Sequence, residues 1–209
     1  MLKKFAPLML LPLLSFGLHA MEAKPTTNAT LNVDEAQLKE IRIQSQLGIP
    51  GAQFDLANYY ELQGSDNDLK QAIELYELAA NQGLKEAQNA IGLMYDEGKG
   101  VTEDDAKAIE WYQKSADQGH AEAQFNLANM YAAGTGVEQD FKKALSLFEQ
   151  SAATNTQAYY VVGVFYFNGY GVDVNKETAR TWFQKAADNG DKQGMKALRT
   201  HYFKQMKMH

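Results

Sequence analysis

The chain carries a helical pattern of hydrophobic positions that recurs four times. In the first stretch of each copy, an alanine, an aliphatic residue and a tyrosine follow one another at intervals of four residues. In the second stretch, an alanine, a large side chain and a further alanine have the same spacing. Residues four apart lie on one face of an α-helix, so each copy is predicted to contain two helices. The first-stretch sets are Ala52/Leu56/Tyr60, Ala87/Ile91/Tyr95, Ala123/Leu127/Tyr131 and Ala158/Val162/Tyr166; the second-stretch sets are Ala72/Tyr76/Ala80, Ala108/Tyr112/Ala116, Ala144/Phe148/Ala152 and Ala179/Phe183/Ala187.

The copies repeat with a period of 35 to 36 residues and share their turns. Three copies place a Gly-x-Gly-Val loop between the two predicted helices, beginning at Gly98, Gly134 and Gly169. Glycine is favoured there because it adopts a positive φ without steric cost. Gly83, Gly119 and Gly190 follow the second helices, where the same freedom ends a helix. The predicted N-terminal caps of the second helices are Asp68, Asp104, Asp140 and Asn175.

One helix pair cannot bury its apolar face, whereas stacked pairs share a continuous core. The sequence therefore predicts an all-α fold, an α-solenoid of four helix pairs with ten helices and no strand. Residues 35–48 match a second helix and are predicted to form an N-terminal cap; residues 191–205 match a first helix and are predicted to form a C-terminal cap. The repeat domain is expected to cover residues 35–205, with repeats at about 49–83, 84–119, 120–155 and 156–190.

The first twenty residues have the pattern of a secretory signal peptide. Lys3 and Lys4 precede an apolar run over residues 5–18, and Leu-His-Ala follows at 18–20. A retained membrane anchor is the alternative, but the run is shorter than the roughly 20 apolar residues that a spanning helix needs. We expect cleavage after Ala20, a flexible linker over 21–34, a periplasmic or secreted protein, and no membrane span after cleavage.

Charge and composition exclude several classes of function. The 209 residues contain 20 Lys+Arg and 26 Asp+Glu, a formal charge of −6, which argues against a nucleic-acid partner. The absence of cysteine excludes a disulfide scaffold, thiolate zinc and a cysteine nucleophile. His120, His201 and His209 lack the spacing of a metal site. Ser65-Asp66-Asn67 resembles a serine β-lactamase tripeptide without its companion motifs. We predict no catalytic residue, no metal and no cofactor.

One row of positions on the first helices is predicted to bind a partner. Positions 54, 58 and 61, with their equivalents in the other repeats, are expected to lie opposite the core stripe, and every copy places at least one apolar side chain there. We call this row the ladder. In the last copy the C-terminal cap could instead cover the aromatic members. The predicted partner-binding residues are Phe54, Asn58, Asn89, Leu93, Phe125, Asn129, Tyr160, Val164 and Phe167.

The third copy, which reads AEAQxxLAxMYxxGxGVxxDxxKALxxFxxxA, resembles the Sel1-like repeat, a relative of the tetratricopeptide repeat. The resemblance covers about residues 48–203. The first copy departs from it, because Gln63-Gly-Ser-Asp66 replaces the Gly-x-Gly-Val loop. The resemblance implies a non-catalytic interaction scaffold, of a kind often found in bacterial envelope proteins. Because the first helices of such solenoids line the concave face, we expect the ladder to bind a protein or peptide in that groove.

Three alternatives stay open beside that scaffold. Some relatives are periplasmic immunity proteins that neutralise type VI secretion effectors. Others are cysteine-rich secreted proteins proposed to act on β-lactams or peptidoglycan peptides, a subgroup that this cysteine-free chain does not match. A purely structural envelope component would self-associate, whereas polar caps at both ends predict a monomer.

Overall fold

The computed structural model describes residues 34–203 of the chain. The predicted signal peptide and all of the predicted linker except Asp34 lie outside the described residues. The last two residues of the predicted C-terminal cap, Lys204 and Gln205, also lie outside them.

The described residues 34–203 form ten α-helices in succession, with no strand among them, which confirms the predicted all-α solenoid. A π-helical turn over Arg199–Phe203 follows the last of these helices. The helices are α1 (Glu35–Gln46), α2 (Pro50–Gln63), α3 (Asp66–Asn81), α4 (Lys85–Glu97), α5 (Asp105–Asp117), α6 (Ala121–Ala133), α7 (Phe141–Ser151), α8 (Gln157–Asn168), α9 (Lys176–Asp188) and α10 (Lys192–Leu198).

Each helix packs on its neighbours along the chain, so that the repeats stack in sequence order. The pairs α2/α3, α4/α5, α6/α7 and α8/α9 form the four repeats, while α1 packs on α2 and α10 packs on α9. None of the described helices is long and apolar enough to cross a membrane.

Most residues of the predicted stripes form the core, where large rings alternate with small residues. The exceptions are only half-buried: Tyr60, Tyr95, Tyr131, Tyr166 and Ala187. Tyr76 and Tyr112 are fully buried, and the alanines on either side of each ring are buried too. At Gly163 a Cβ atom would lie 2.7 Å from the Phe183 ring, so this first helix approaches the ring as closely as a backbone can. The core therefore depends on a small residue opposite each ring.

The Gly-x-Gly-Val loops join successive repeats as well as turning the chain. All six glycines of these loops have a positive φ, which confirms the predicted turn conformation. The second glycine of each loop also contacts the start of the preceding repeat's second helix. At Gly171 a Cβ atom would lie 2.5 Å from the backbone N of Lys142. The loop thus needs glycine both for its φ and for this close approach.

Three of the four predicted N-caps are confirmed. Asp104, Asp140 and Asn175 accept hydrogen bonds from backbone amides three residues later, at 2.9 to 3.0 Å. These bonds satisfy amides that have no partner inside the helix.

The predicted cap of repeat one is wrong. Ser65, rather than Asp68, caps α3, and its Oγ accepts from the backbone N of Asp68 at 3.2 Å. The reason is the shorter loop: α2 ends at Gln63, Gly64 caps it with a φ of 71°, and α3 begins at Asp66.

Candidate partner-binding surface

The ladder lies on α2, α4, α6 and α8, but it does not lie opposite the core as the sequence predicted. Its side chains flank the ring of the second helix in the same repeat. The ring centroid of Phe54 is 5.6 Å from that of Tyr76, and Asn58 accepts a hydrogen bond from the Tyr76 hydroxyl. All nine predicted binding residues are half-buried or buried. The spacing of apolar residues along the first helices could not show that the ring on the second helix of each repeat points toward the ladder.

Two ladder residues have little free surface. Phe125 is 8% exposed, and its ring packs edge-on against Phe148 with centroids 5.2 Å apart. Asn89 is buried, and its Oδ1 accepts from Asn126 Nδ2 at 3.2 Å. These two side chains hold helices together, so their contribution to a partner contact is limited to a small exposed area.

In repeat one, the ladder residues Asn58 and Glu61 are polar and are joined to the core by a tyrosine. The Tyr76 hydroxyl lies 2.6 Å from both Asn58 Oδ1 and Glu61 Oε2, close enough to donate to either oxygen. Glu61 also pairs with Lys99 of repeat two through an Nζ–Oε1 distance of 2.5 Å. An ion pair therefore crosses from one repeat to the next at the ladder.

Repeat two has the same arrangement in a simpler form. The Tyr112 hydroxyl donates to Asp96 Oδ2 at 3.2 Å. Burial raises the pKa of Asp96, while the hydrogen bond from Tyr112 acts to lower it. Burial also raises the pKa of Tyr112, and the nearby Asp96 carboxylate raises it further. The tyrosine thus stays protonated as a donor at neutral pH.

The third position of the ladder becomes apolar in repeats three and four. The rings there are Phe148 and Phe183, which carry no hydroxyl, and the positions of Glu61 and Asp96 are taken by Ala132 and Phe167. Tyrosine therefore occurs where a carboxylate faces it, and phenylalanine where an apolar residue does. Comparing the repeats position by position would have revealed this pairing from sequence.

The C-terminal cap lies against the aromatic residues of repeat four. Tyr160, Val164 and Phe167 pack on a buried cluster that includes Leu198 of α10. The Phe167 ring lies 4.6 Å from the ring of His201, centroid to centroid. All three side chains are nevertheless only half-buried. The cap thus covers part of each side chain and leaves the rest at the surface.

Two ladder asparagines keep polar groups available. Asn129 makes no side-chain hydrogen bond within residues 34–203, and it is half-buried. Asn58 uses its Oδ1 toward Tyr76, which leaves its Nδ2 amide without a partner in the described part of the chain. Amide groups of this kind can hydrogen-bond to the backbone of a bound peptide.

The residues considered for chemistry have structural roles. His120 caps α6, its Nδ1 accepting from the Ala123 backbone N at 3.2 Å, and burial lowers its pKa. Ser65 of the Ser-Asp-Asn tripeptide is the cap of α3. Among the described residues, no three His, Cys, Asp or Glu side chains are grouped so that they could hold a metal ion.

Fold and surface together are those of a helical-repeat scaffold, and the comparisons identify which kind. The Sel1 repeat family model matches residues 50–84, 85–120, 121–153 and 156–191. These matches cover well over half of the sequence, so the chain belongs to the Sel1-repeat family. Members of this family are generally non-catalytic protein-interaction scaffolds.

Two solved structures support the assignment. One is c5321, a protective antigen of uropathogenic Escherichia coli, with 36% identity and a TM-score of 0.70 over 73% of this chain. The other is a Sel1 repeat protein from Oxalobacter formigenes, with 33% identity and a TM-score of 0.72 over 79% of this chain. Cysteine rich protein B of Helicobacter pylori shares the fold at 21% identity, with a TM-score of 0.51 and coverage of 64% of this chain and 96% of that one.

This chain is shorter than the two more similar relatives. The alignment spans 33% of the E. coli protein and 49% of the O. formigenes protein.

Proposed function

We propose that this protein is a non-catalytic, extracytoplasmic scaffold that binds a protein or peptide along the ladder. The observation that carries the proposal is that the ladder keeps half-buried side chains at the surface of all four first helices. They comprise carboxylates in repeats one and two, the Nδ2 amide of Asn58, the carboxamide of Asn129, and apolar side chains at Leu93 and Val164. A surface of mixed apolar and polar groups on rigid helices suits recognition of a peptide segment.

The extracytoplasmic location rests on the sequence. The proposed signal peptide over residues 1–20 would direct the chain to the periplasm, or out of the cell, before the repeat domain folds. The location is tested by fractionating cells that express the full-length chain and sequencing the N-terminus of the mature protein. A mature chain that begins at Met21 in the periplasmic fraction is expected, and an intact chain in the cytosol would contradict the proposal.

Partner binding is tested with two matched double variants. Asn129→Ala with Val164→Ser removes a carboxamide and an apolar side chain from the ladder without touching buried Phe125. Asn81→Ala with Val174→Ser makes the same chemical changes at exposed positions outside the ladder. Each protein is immobilised and exposed to a periplasmic extract, and bound proteins are identified by mass spectrometry.

The wild type and the outer variant are expected to retain the same partner, and the ladder variant is expected to lose it. Circular dichroism must show the same helix content and melting temperature for all three. A folded ladder variant that retains the partner as well as the wild type does would contradict the proposal. If the retained partner is a toxic envelope effector, the scaffold acts as an immunity protein.

A further inference from the structure

A cleft of about 490 Å³ opens at the N-terminal end of the stack, away from the ladder. It lies between α1, α2 and α3. Its apolar lining comes from Leu56, Leu75 and Leu78, and its polar lining includes Arg42, Tyr60 and Glu74. Leu78 is 51% exposed, which is unusual for a leucine beside a core.

The other repeats indicate what kind of group fits this place. Repeats two and four carry Trp111 and Trp182 at the position of Leu75. They carry Lys114 and Lys185 at the position of Leu78, with each Nζ 3.8 to 4.0 Å from the indole centroid. Trp111 packs half-buried on a core cluster formed by residues of α2, α3 and α4. Repeat three has Leu147, which is 7% exposed, and Gln150 at these positions. In repeat one, Leu75 and Leu78 stand there and both line the cleft.

The polar lining differs from that of repeats two and four in the same way. Tyr95 and Tyr166, the equivalents of Tyr60, each donate to a glutamate on the preceding second helix, at 3.3 and 2.7 Å. The helix that precedes repeat one is the cap α1. Its Arg42 occupies the position equivalent to Glu77, the residue that accepts the hydrogen bond from Tyr95 in repeat two. Within residues 34–203, Arg42 forms no ion pair and the Tyr60 hydroxyl forms no hydrogen bond.

We propose that this cleft binds the aromatic side chain of a peptide that carries a carboxylate beside it. The ring would take the position that Trp111 and Trp182 occupy in their own repeats, on Leu56 and Leu75. The carboxylate would pair with Arg42 and accept from the Tyr60 hydroxyl, the two lining groups that have no partner within residues 34–203. Glu74 also lines the cleft, so the ligand is expected to carry only one acidic group, placed beside Arg42. The cleft is distinct from the ladder, so this proposal stands independently of the proposed function.

The probe is a fluorescein-labelled hexapeptide, Gly-Ser-Trp-Asp-Ser-Gly, whose binding to the purified chain that begins at Met21 is followed by fluorescence anisotropy. Leu75→Trp with Leu78→Lys fills the cleft with the chain's own Trp–Lys pair and is expected to weaken binding by about tenfold or more. Leu62→Lys is the matched control, because Leu62 is 61% exposed and lies outside the cleft. It is expected to bind as the wild type does.

A second variant does not depend on repacking the cleft. Arg42→Glu changes an exposed side chain to the residue type found at Glu77. It is expected to weaken binding of the Trp-Asp peptide and to favour the same peptide with Lys in place of Asp. The proposal is overturned if the wild type shows no saturable binding at millimolar protein. It is also overturned if the folded variant Leu75→Trp with Leu78→Lys binds the peptide as tightly as the wild type does. The same holds if replacing the peptide's Trp with Ala leaves the affinity unchanged, or if Arg42→Glu does not alter the preference for Asp over Lys in the peptide.

Discussion

The hydroxyl of Tyr76 links the core of repeat one to its surface. The ring is fully buried against Phe54, and the hydroxyl reaches Asn58 and Glu61 on the ladder. Burial raises the pKa of Tyr76, and the nearby Glu61 carboxylate raises it further. The Tyr76 hydroxyl therefore remains a hydrogen-bond donor at neutral pH. A buried donor beside a carboxylate holds both side chains in one geometry.

Replacing Tyr76 with phenylalanine removes this donor and keeps the ring. Because hydrogen bonds to charged groups contribute roughly 1.5 to 3 kcal/mol, Tyr76→Phe is expected to lower the free energy of unfolding by an amount in that range. Urea unfolding followed by circular dichroism at neutral pH measures the change.

Tyr59→Phe is the control for Tyr76→Phe. Tyr59 makes a ring contact with Tyr60, and its hydroxyl has no hydrogen bond within the described residues. Its change is expected to stay within about 0.5 kcal/mol. If the two variants lose the same free energy of unfolding, the hydrogen bonds of the Tyr76 hydroxyl do not stabilise the fold, and the account is wrong.

At the scale of the helix, caps and glycine turns decide where each element begins and ends. His120 is an unusual cap, because only the unprotonated Nδ1 can accept from the Ala123 amide. Burial lowers the pKa of His120, so the unfolded chain takes up the proton at a higher pH than the folded chain does. The cap's stabilisation is therefore complete above the ordinary histidine pKa of about 6.5 and declines as the pH falls below it.

Two substitutions separate the cap from its titration. His120→Ala removes the acceptor and is expected to lower the unfolding free energy by about 1 kcal/mol at pH near 8. His120→Asn keeps an acceptor that does not titrate. Its free energy of unfolding is therefore expected to rise relative to that of the wild type as the pH falls from about 8 to 5.5. The difference between variant and wild type cancels other titrations, such as that of Asp96. A constant difference between His120→Asn and the wild type across this range would contradict the account.

The loop glycines give a prediction about contacts between repeats. In Gly171→Ala the new Cβ would strain a residue with a φ of 68° and would collide with the backbone of Lys142 and Phe141. Overpacking adds roughly 1 to 3 kcal/mol to the left-handed strain of about 1 to 2 kcal/mol. Thermal and urea unfolding should show this loss.

Gly190→Ala is the matched control for Gly171→Ala. Gly190 has a φ of 84°, and no atom lies within 4 Å of the position that a Cβ would take, so only the strain is expected there. Equal losses at the two glycines would mean that the loop does not depend on its contact with the preceding repeat.

The elements could be predicted from sequence because the apolar spacing and the turn glycines act over short distances. Ala158, Val162 and Phe183 lie in the core as their spacing predicted. The ladder's orientation could not be predicted in the same way, since a helical period does not say toward which side a ring on the neighbouring helix leans. Ser65 was missed as a cap because the shorter loop moved the start of α3. The binding role of the ladder residues stays a prediction.

At the scale of the whole molecule, the stack ends in two helices whose exposed residues are mostly charged. α1 exposes Glu35, Lys39 and Glu40 beside Ile43, and α10 exposes Lys192 and Lys196 beside Met195. Solenoids require such caps to prevent end-to-end association. Sedimentation of the chain that begins at Met21 is expected to give a single monomeric species at all concentrations tested. A sedimentation coefficient that rises with concentration would favour a structural, self-associating component.

The ladder as the partner-binding surface is tested most directly by hydroxyl-radical footprinting of the protein alone and in complex with its captured partner. The measurement reports the solvent exposure of each side chain. We predict that oxidation of Phe54, Leu93 and Tyr160 falls in the complex, while oxidation of Trp111 and Trp182 on the second helices is unchanged. Protection of the two tryptophans with unchanged oxidation of the ladder residues would contradict the account.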